Sequence, residues 1–281
     1  MRRKKLWVLA VLLVMMIIWI ACGNSALTVQ EIQIESDRIP KGFSGFRIAQ
    51  VSDLHNAEFG KENEKLIDQL KSIAPDMIVL TGDLVDSYRT DVAVSLRFAE
   101  QAGSIAPTYY VTGNHESRIA EYETLLTGLM DVGVIPLLND SVKLERGTES
   151  IALLGVQDPA FTTDYLMGDS ASVMSQMLAE FAECEDDYRI LLSHRPELFD
   201  VYVQSGMDLV FSGHAHGGQF RLPFIGGLFA PGQGFFPEYG AGLYTADSTN
   251  MIVSRGLGNS LFPFRINNRP EIIVAELISV A

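Results

Sequence analysis

A chain of 281 residues, 47% of them hydrophobic, holds enough apolar material for one large domain or two modest ones. The formal net charge is −14; with Arg2, Arg3, Lys4 and Lys5 set aside at the N-terminus, 17 basic side chains face 35 acidic ones, a balance of −18. That excess of acid argues against a nucleic-acid partner, which needs Lys and Arg in quantity. It leaves room for a phosphate-bearing substrate, because bound metal ions add positive charge that composition does not count.

The four basic residues precede an apolar stretch from Leu6 to Cys22, and the next charged residue is Glu31. A basic start followed by an apolar run of this length fits one transmembrane helix with its N-terminus in the cytoplasm and the rest of the chain outside. A cleaved signal peptide is a poorer fit, because the run exceeds the usual h-region of roughly 7–15 residues. A lipid anchor on Cys22 has the small residue Ala21 before the cysteine in its favour, but Trp19 stands where such signals usually carry an aliphatic residue. Residues 1–26 are therefore read as a cytoplasmic basic tip and membrane anchor, and residues 27–281 as the catalytic domain. The spacer is short, so the domain sits close to the bilayer. The second cysteine, Cys184, lies in an acidic helical stretch; the two settings argue against a disulfide, and oligomeric state is not encoded in any visible pattern.

Past the anchor, Leu27 to Glu35 alternates apolar and polar and reads as a strand with one buried face. Strand-like and helical patterns then take turns. Phe46–Val51 is a strand and Asn63–Ser72 a helix; Asp76–Leu80 is a strand apolar enough to be buried on both faces. A helix over Asp91–Ala102 stops at Gly103, the strand Thr108–Val111 follows, and then a helix over Arg118–Asp131. Val142–Val156 reads as a hairpin turning at Arg146-Gly147, Ala171–Ala182 as a helix, and Arg189–Ser193 and Asp208–Ser212 as strands. The last strands are Met251–Ser254 and Glu271–Ile278. Alternating β and α elements predict an α/β domain, and roughly ten or more strands suit two packed sheets with helices outside.

Five of these strands end on residues suited to metal ligation. They are Asp53-Leu54-His55, Gly82-Asp83-Leu84-Val85-Asp86, Gly113-Asn114-His115-Glu116, His194, and Gly213-His214-Ala215-His216. Sites in α/β sheets form at the carboxyl ends of strands. All five histidines of the chain fall at these ends, a distribution that scattered surface histidines would not produce. Carboxylate oxygen and imidazole nitrogen suit Mn, Fe or Zn. Seven donors, Asp53, His55, Asp83, Asn114, His194, His214 and His216, are too many for one ion and natural for two divalent ions sharing a carboxylate. The chemistry expected is phosphoester hydrolysis by a metal-bridging hydroxide, with an acid protonating the leaving oxygen. His115, the histidine left over, is the candidate acid, and Glu116 is placed to orient it or raise its pKa.

Taken in order, these five motifs resemble the signature of the calcineurin-like metallophosphoesterases, and within them the membrane-anchored bacterial branch, whose look includes Gly217-Gly218-Gln219-Phe220-Arg221-Leu222-Pro223. The resemblance implies a four-layer α/β/β/α sandwich, the metallophosphatase fold. It assigns Asp53, His55, Asp83 and His216 to one metal and Asp83, Asn114, His194 and His214 to the other, with Asp83 bridging and His115 assisting catalysis. Ser87-Tyr88 follow Asp86 where the protein Ser/Thr phosphatases of this superfamily carry Arg-Gly, which speaks against a protein-phosphatase role. The rival function is a catalytically silent, membrane-anchored binding protein on the same scaffold.

Phe220 to Tyr239 is rich in aromatic residues punctuated by glycine and proline, and Leu261-Phe262-Pro263-Phe264 resembles it. One reading packs this loop on the sheet edge. The other makes it an apolar rim beside the metals that holds an acyl chain or dips into the membrane, with a lipid-linked or envelope phosphoester as substrate.

Overall fold

The computed structural model describes residues 2–162, 169–182, 188–259 and 262–281. Its framework is two six-stranded sheets. The first is built from β1 (Thr28–Ser36), β2 (Phe46–Val51), β3 (Met77–Thr81), β4 (Thr108–Val111), β5 (Ile135–Pro136) and the C-terminal β16 (Glu271–Ser279), in the order β1-β16-β2-β3-β4-β5. The second contains β6 (Asp140–Arg146), β7 (Glu149–Gly155), β8 (Arg189–Leu192), β9 (Leu209–Ser212), β14 (Gly242–Ala246) and β15 (Thr249–Val253), in the order β14-β15-β9-β8-β7-β6. Four two-residue strands, β10 (Arg221–Leu222), β11 (Gly226–Gly227), β12 (Phe229–Ala230) and β13 (Gly234–Phe235), form two small hairpins in the aromatic loop. The helices are α1 (Arg2–Ser25), α2 (Glu64–Ile73), α3 (Val92–Gly103), α4 (Tyr122–Asp131), α5 (Ser170–Ala179) and α6 (Phe199–Gln204).

Alternation along the strands divides the apolar side chains among three clusters. Ala49, Ile78, Leu80 and Tyr110 face α2, α3 and α4, meeting Leu66, Leu70, Phe98, Leu125 and Leu129. Their neighbours Ile48, Val79, Tyr109 and Val111 turn inward and pack on Leu153, Ile190, Leu192 and Phe211 of the second sheet. On its far face that sheet sends Leu154, Leu191, Val210 and Val253 to Val173, Met174, Phe199 and Tyr202 of α5 and α6. Three apolar interfaces need four layers, which is the α/β/β/α sandwich expected. The β2–β3–β4 and β7–β8–β9 runs are parallel, so their carboxyl ends share one edge of the sandwich.

The differences from expectation are local. The helix predicted from Arg118 begins only at Tyr122, because Glu116–Arg118 closes as a 3-10 turn and Ile119 is extended. The six-residue α6 and the edge strand β14 were too short or too polar to show a period. Cys184 lies outside the described residues, while Cys22 is exposed with a free thiol. Within Lys4–Ser25, helix α1 carries an 18-residue stretch of mean hydropathy 2.7, none of it buried, so it is long and apolar enough to cross a membrane.

Candidate metal centre

The turns after β2, β3, β4, β8 and β9 converge, and all eight side chains singled out from the sequence come together there, each buried. The backbone that carries them is unusual. Asp53, His55, Asp83, His214 and His216 all have positive φ, between 45° and 63°, a region that non-glycine residues visit sparsely. Held by surrounding structure, such conformations mark sites where side-chain aim outweighs local strain. Two glycines let the turns approach. A Cβ on Gly113 would overlap the Asp83 carboxylate, and one on Gly213 would overlap Ser52 Oγ and the Asp53 carboxylate. Gly213→Ala should therefore destabilise the fold by about 1–3 kcal/mol, a loss that urea unfolding would register together with weaker metal binding.

Donor atoms gather in two groups that share Asp83. Asp53, His55, Asp83 and His216 form the first and Asp83, His194 and His214 the second, with donor atoms within 4.8 Å of one another in each. His55 Nε2 lies 3.2 Å from His216 Nε2 and 3.6 Å from Asp83 Oδ2. His216 Nε2 is 3.4 Å from Asp53 Oδ1, and His194 Nε2 is 3.2 Å from Asp83 Oδ2. The residues fit a pair of divalent cations on an independent count as well. Asn114 Oδ1 is a buried acceptor with no hydrogen-bond partner, an arrangement that costs free energy unless something else satisfies it. His194 Nδ1 sits 2.7 Å from the Thr81 carbonyl, to which it donates, and this aims Nε2 at the centre.

The electrostatics point the same way. Burial drives the His214 and His216 pKa values well below the ordinary range and that of His55 down to about 3, so three imidazoles stay neutral with lone pairs available. Burial also raises Asp53 to about 6. For His194 burial pulls downward, but the Asp83 carboxylate outweighs it and lifts the pKa to about 10; the same pairing holds Asp83 well below its usual value. A cation between Asp83 and His194 gives the carboxylate the compensation that this proton gives, so the two compete.

His115 belongs to neither group that shares Asp83, although its donor atom lies within 4.8 Å of those of His55 and Asp86. Its Nδ1 accepts from the Ser87 backbone N–H at 2.9 Å, with Ser87 Oγ at 3.0 Å, so the neutral ring carries its proton on Nε2. Ser87 is held in turn by the Asp86 turn, whose carboxylate accepts from Tyr88 N and takes both Nε and Nη2 of Arg89. Glu116 does not orient His115. Its carboxylate accepts from the backbone N–H groups of Asp83, Leu84 and Gly113 at 2.7–3.0 Å and thereby shapes the turn that presents Asp83. Burial, reinforced by the Asp83 charge, raises the Glu116 pKa to about 8. Glu116→Gln places an amide donor against those donors, and should cost about 2–3 kcal/mol; chemical denaturation measures it.

Three further groups gained no site role from the sequence. Arg195, buried, grips Asp158 through two bonds of 2.7 and 2.9 Å and brings Nη1 to 3.3 Å from His214 Nε2. Arg265, fully buried, brings Nη2 to 3.4 Å from His216 Nδ1. Ser87 is the third. Ser87 follows the Gly82–Asp86 motif and Arg195 follows His194, but only tertiary contact reveals what the three do. A cavity of about 370 Å³ opens over the centre, with Asp83, Asn114, His115, His214 and His216 on one side and Phe229, Pro231 and Phe262 on the other.

Paired buried donor groups on one edge of an α/β/β/α sandwich define a metal-dependent phosphoester hydrolase. The calcineurin-like phosphoesterase family pattern matches residues 46–218, and the chain belongs to that family. It is 32% identical to the Bacillus subtilis metallophosphoesterase YkuE, across 88% of this chain and 84% of that protein. It is 30% identical to the phosphodiesterase YaeI of Escherichia coli, across 83% and 82%. A Danio rerio transmembrane protein with a metallophosphoesterase domain is 30% identical over 87% of this chain and 56% of its own length. Among solved structures, TT1561 of Thermus thermophilus superposes with a TM-score of 0.52 at 16% identity, over 76% of this chain and 91% of that one, a likeness of fold.

Proposed function

We propose that the chain hydrolyses a phosphodiester at the outer membrane–water boundary of the cytoplasmic membrane, on a substrate carried by a lipid. The observation that carries the catalytic part is the pair of buried donor groups sharing Asp83. Asp53, His55, Asp83 and His216 would hold one divalent ion, and Asp83, Asn114, His194 and His214 the other. Bound ions of this kind neutralise phosphoryl oxygens and bring the pKa of water near neutrality. His115 binds over the same cavity and gives its Nε2 proton to the leaving oxygen as the ester bond breaks, while Ser87 keeps the ring in that tautomer. Arg195 and Arg265 press on the far sides of His214 and His216 and hold their rings in place.

Placement outside the cytoplasm rests on the basic start Arg2–Lys5 ahead of an apolar helix. The lipid part rests on the apolar wall of the cavity. YaeI is named a phosphodiesterase, which favours diester over monoester chemistry here. The test compares Mn²⁺-dependent hydrolysis of an aryl phosphodiester, the corresponding monoester, and a diester presented on an acyl chain in vesicles. The diester should be cut faster than the monoester, and the lipid form should exceed its soluble head-group analogue in kcat/KM. A soluble analogue cut as well as the lipid removes the lipid reading and leaves the phosphodiesterase intact.

A further inference from the structure

The aromatic loop is both a wall of the catalytic cavity and an exposed surface. Phe229 lines the cavity and stacks edge-on to Phe235 with ring centroids 5.4 Å apart. Phe235 and Phe236 are 72% and 60% exposed, Ile225 is 64% exposed, and Phe224 projects fully into its surroundings. Clustered apolar side chains left exposed in this way mark an interaction site.

The membrane helix arrives at the same face. Asn24, at the last turn of α1, clasps the backbone of Arg265, its Nδ2 donating to the carbonyl at 2.9 Å and its Oδ1 accepting the N–H at 2.7 Å. The residues on either side of Arg265 hold the aromatic loop. Phe264 packs on Phe220 and accepts from Gln219 Nε2, and the Ile266 carbonyl accepts from Arg221 N. The anchor and the loop are thus joined through one short segment.

Charge agrees. Neither 213–237 nor 254–270, the two stretches that form this face, contains an Asp or Glu, although the chain has 35 of them; of their arginines, Arg265 is buried and Arg255 is paired with Glu271, which leaves Arg221 and Arg269 as the positive charge at the surface. An acidic protein therefore meets the end of its membrane helix with an acid-free, arginine-bearing, aromatic surface. That chemistry suits an anionic lipid interface, where aromatic residues settle among head groups and cationic ones gain from surface charge.

We infer that residues 222–236 seat in the lipid interface beside α1 as a second membrane contact, so that the catalytic cavity opens onto the bilayer surface. This rests on α1 spanning the membrane, and it supports the lipid-borne substrate of the proposed function without depending on catalysis. The geometry gives the chain two contacts, one on each side of Arg265, which fixes the orientation of the cavity mouth in a way that a lone helix on a spacer would not.

The test uses the full chain in vesicles containing phosphatidylglycerol. With Trp7 and Trp19 changed to Phe, a single tryptophan is introduced as Phe224→Trp, Phe235→Trp or Met130→Trp and challenged with brominated phospholipid. Met130 is half exposed at the end of α4, where that helix has run back from the catalytic edge. Phe224→Trp and Phe235→Trp should emit at shorter wavelength and lose about half or more of their fluorescence to brominated lipid, with Met130→Trp unaffected. Emission that stays water-like overturns the inference. So does emission that is shielded but unquenched, which would assign the face to a second copy of the chain. Because quenching is read without substrate, its failure is distinguishable from a failure of hydrolysis.

Discussion

Asp83→Asn is expected to lower kcat of the Mn²⁺-loaded enzyme by at least about 10³-fold, equivalent to roughly 4 kcal/mol of transition-state stabilisation. Asp83 is the one carboxylate common to both donor groups, with Oδ2 3.2 Å from His194 Nε2 and 3.6 Å from His55 Nε2. The amide keeps the shape and still accepts the His115 backbone N–H, made at 2.8 Å by Oδ1. What it removes is the negative charge that two cations would share. The fold should survive, because Glu116 organises the same turn through backbone N–H groups rather than through the Asp83 side chain. Metal content by elemental analysis and melting temperature, measured together, separate loss of ions from loss of structure.

His115→Ala is expected to reduce kcat by about 10²–10⁴-fold, the usual worth of a positioned acid, with the bound metal unchanged. The two substitutions should therefore divide cleanly, since Asp83 is shared by the two larger sets of assigned ligands and His115 belongs to neither. The size of the His115 effect should also depend on the leaving group. An aryl oxide departs without much help from a proton, whereas an alkoxide needs one, so the loss should be larger for an alkyl diester than for a nitrophenyl diester. An equal loss on both substrates would point to a positioning role for His115 instead. Ser87 is part of the prediction, because the Ser87 N–H on Nδ1 is what leaves the proton on Nε2.

Much of the centre was legible in the sequence because its logic is local. A short buried strand such as Ile78–Thr81 shows as an apolar run, and the residue just past it is placed by the strand's direction. Asp53, Asp83, Asn114, His194, His214 and His216 could be read off in that way. The two close approaches at Gly113 and Gly213 show only as glycines in a motif until the Asp83 and Asp53 carboxylates are seen against them. Contacts between distant segments were not legible. Glu116 stands next to His115 in the chain, and that proximity suggested a partnership; in three dimensions it serves the Asp83 turn instead. Ser87 entered the sequence reading only as a departure from the phosphatase pattern, yet it sets the His115 tautomer. Asn24 and Arg265 are 241 positions apart, and no periodicity links a helix end to a loop.

The aromatic loop shows the same division. Its composition left open a loop packed on the sheet edge or an apolar rim; the exposure of Phe224 and Phe235, the lining role of Phe229 and the clasp from Asn24 set it beside the cavity and the end of α1.

The most direct measurement is a titration of the chelator-treated full chain with Mn²⁺, following bound ions per chain and phosphodiester hydrolysis in the same samples. Two bound ions per chain are expected, with hydrolysis absent before metal is added and rising as the second site fills. Full activity after chelation, or no activity with any divalent metal at saturation, would contradict a catalytic centre built on Asp83.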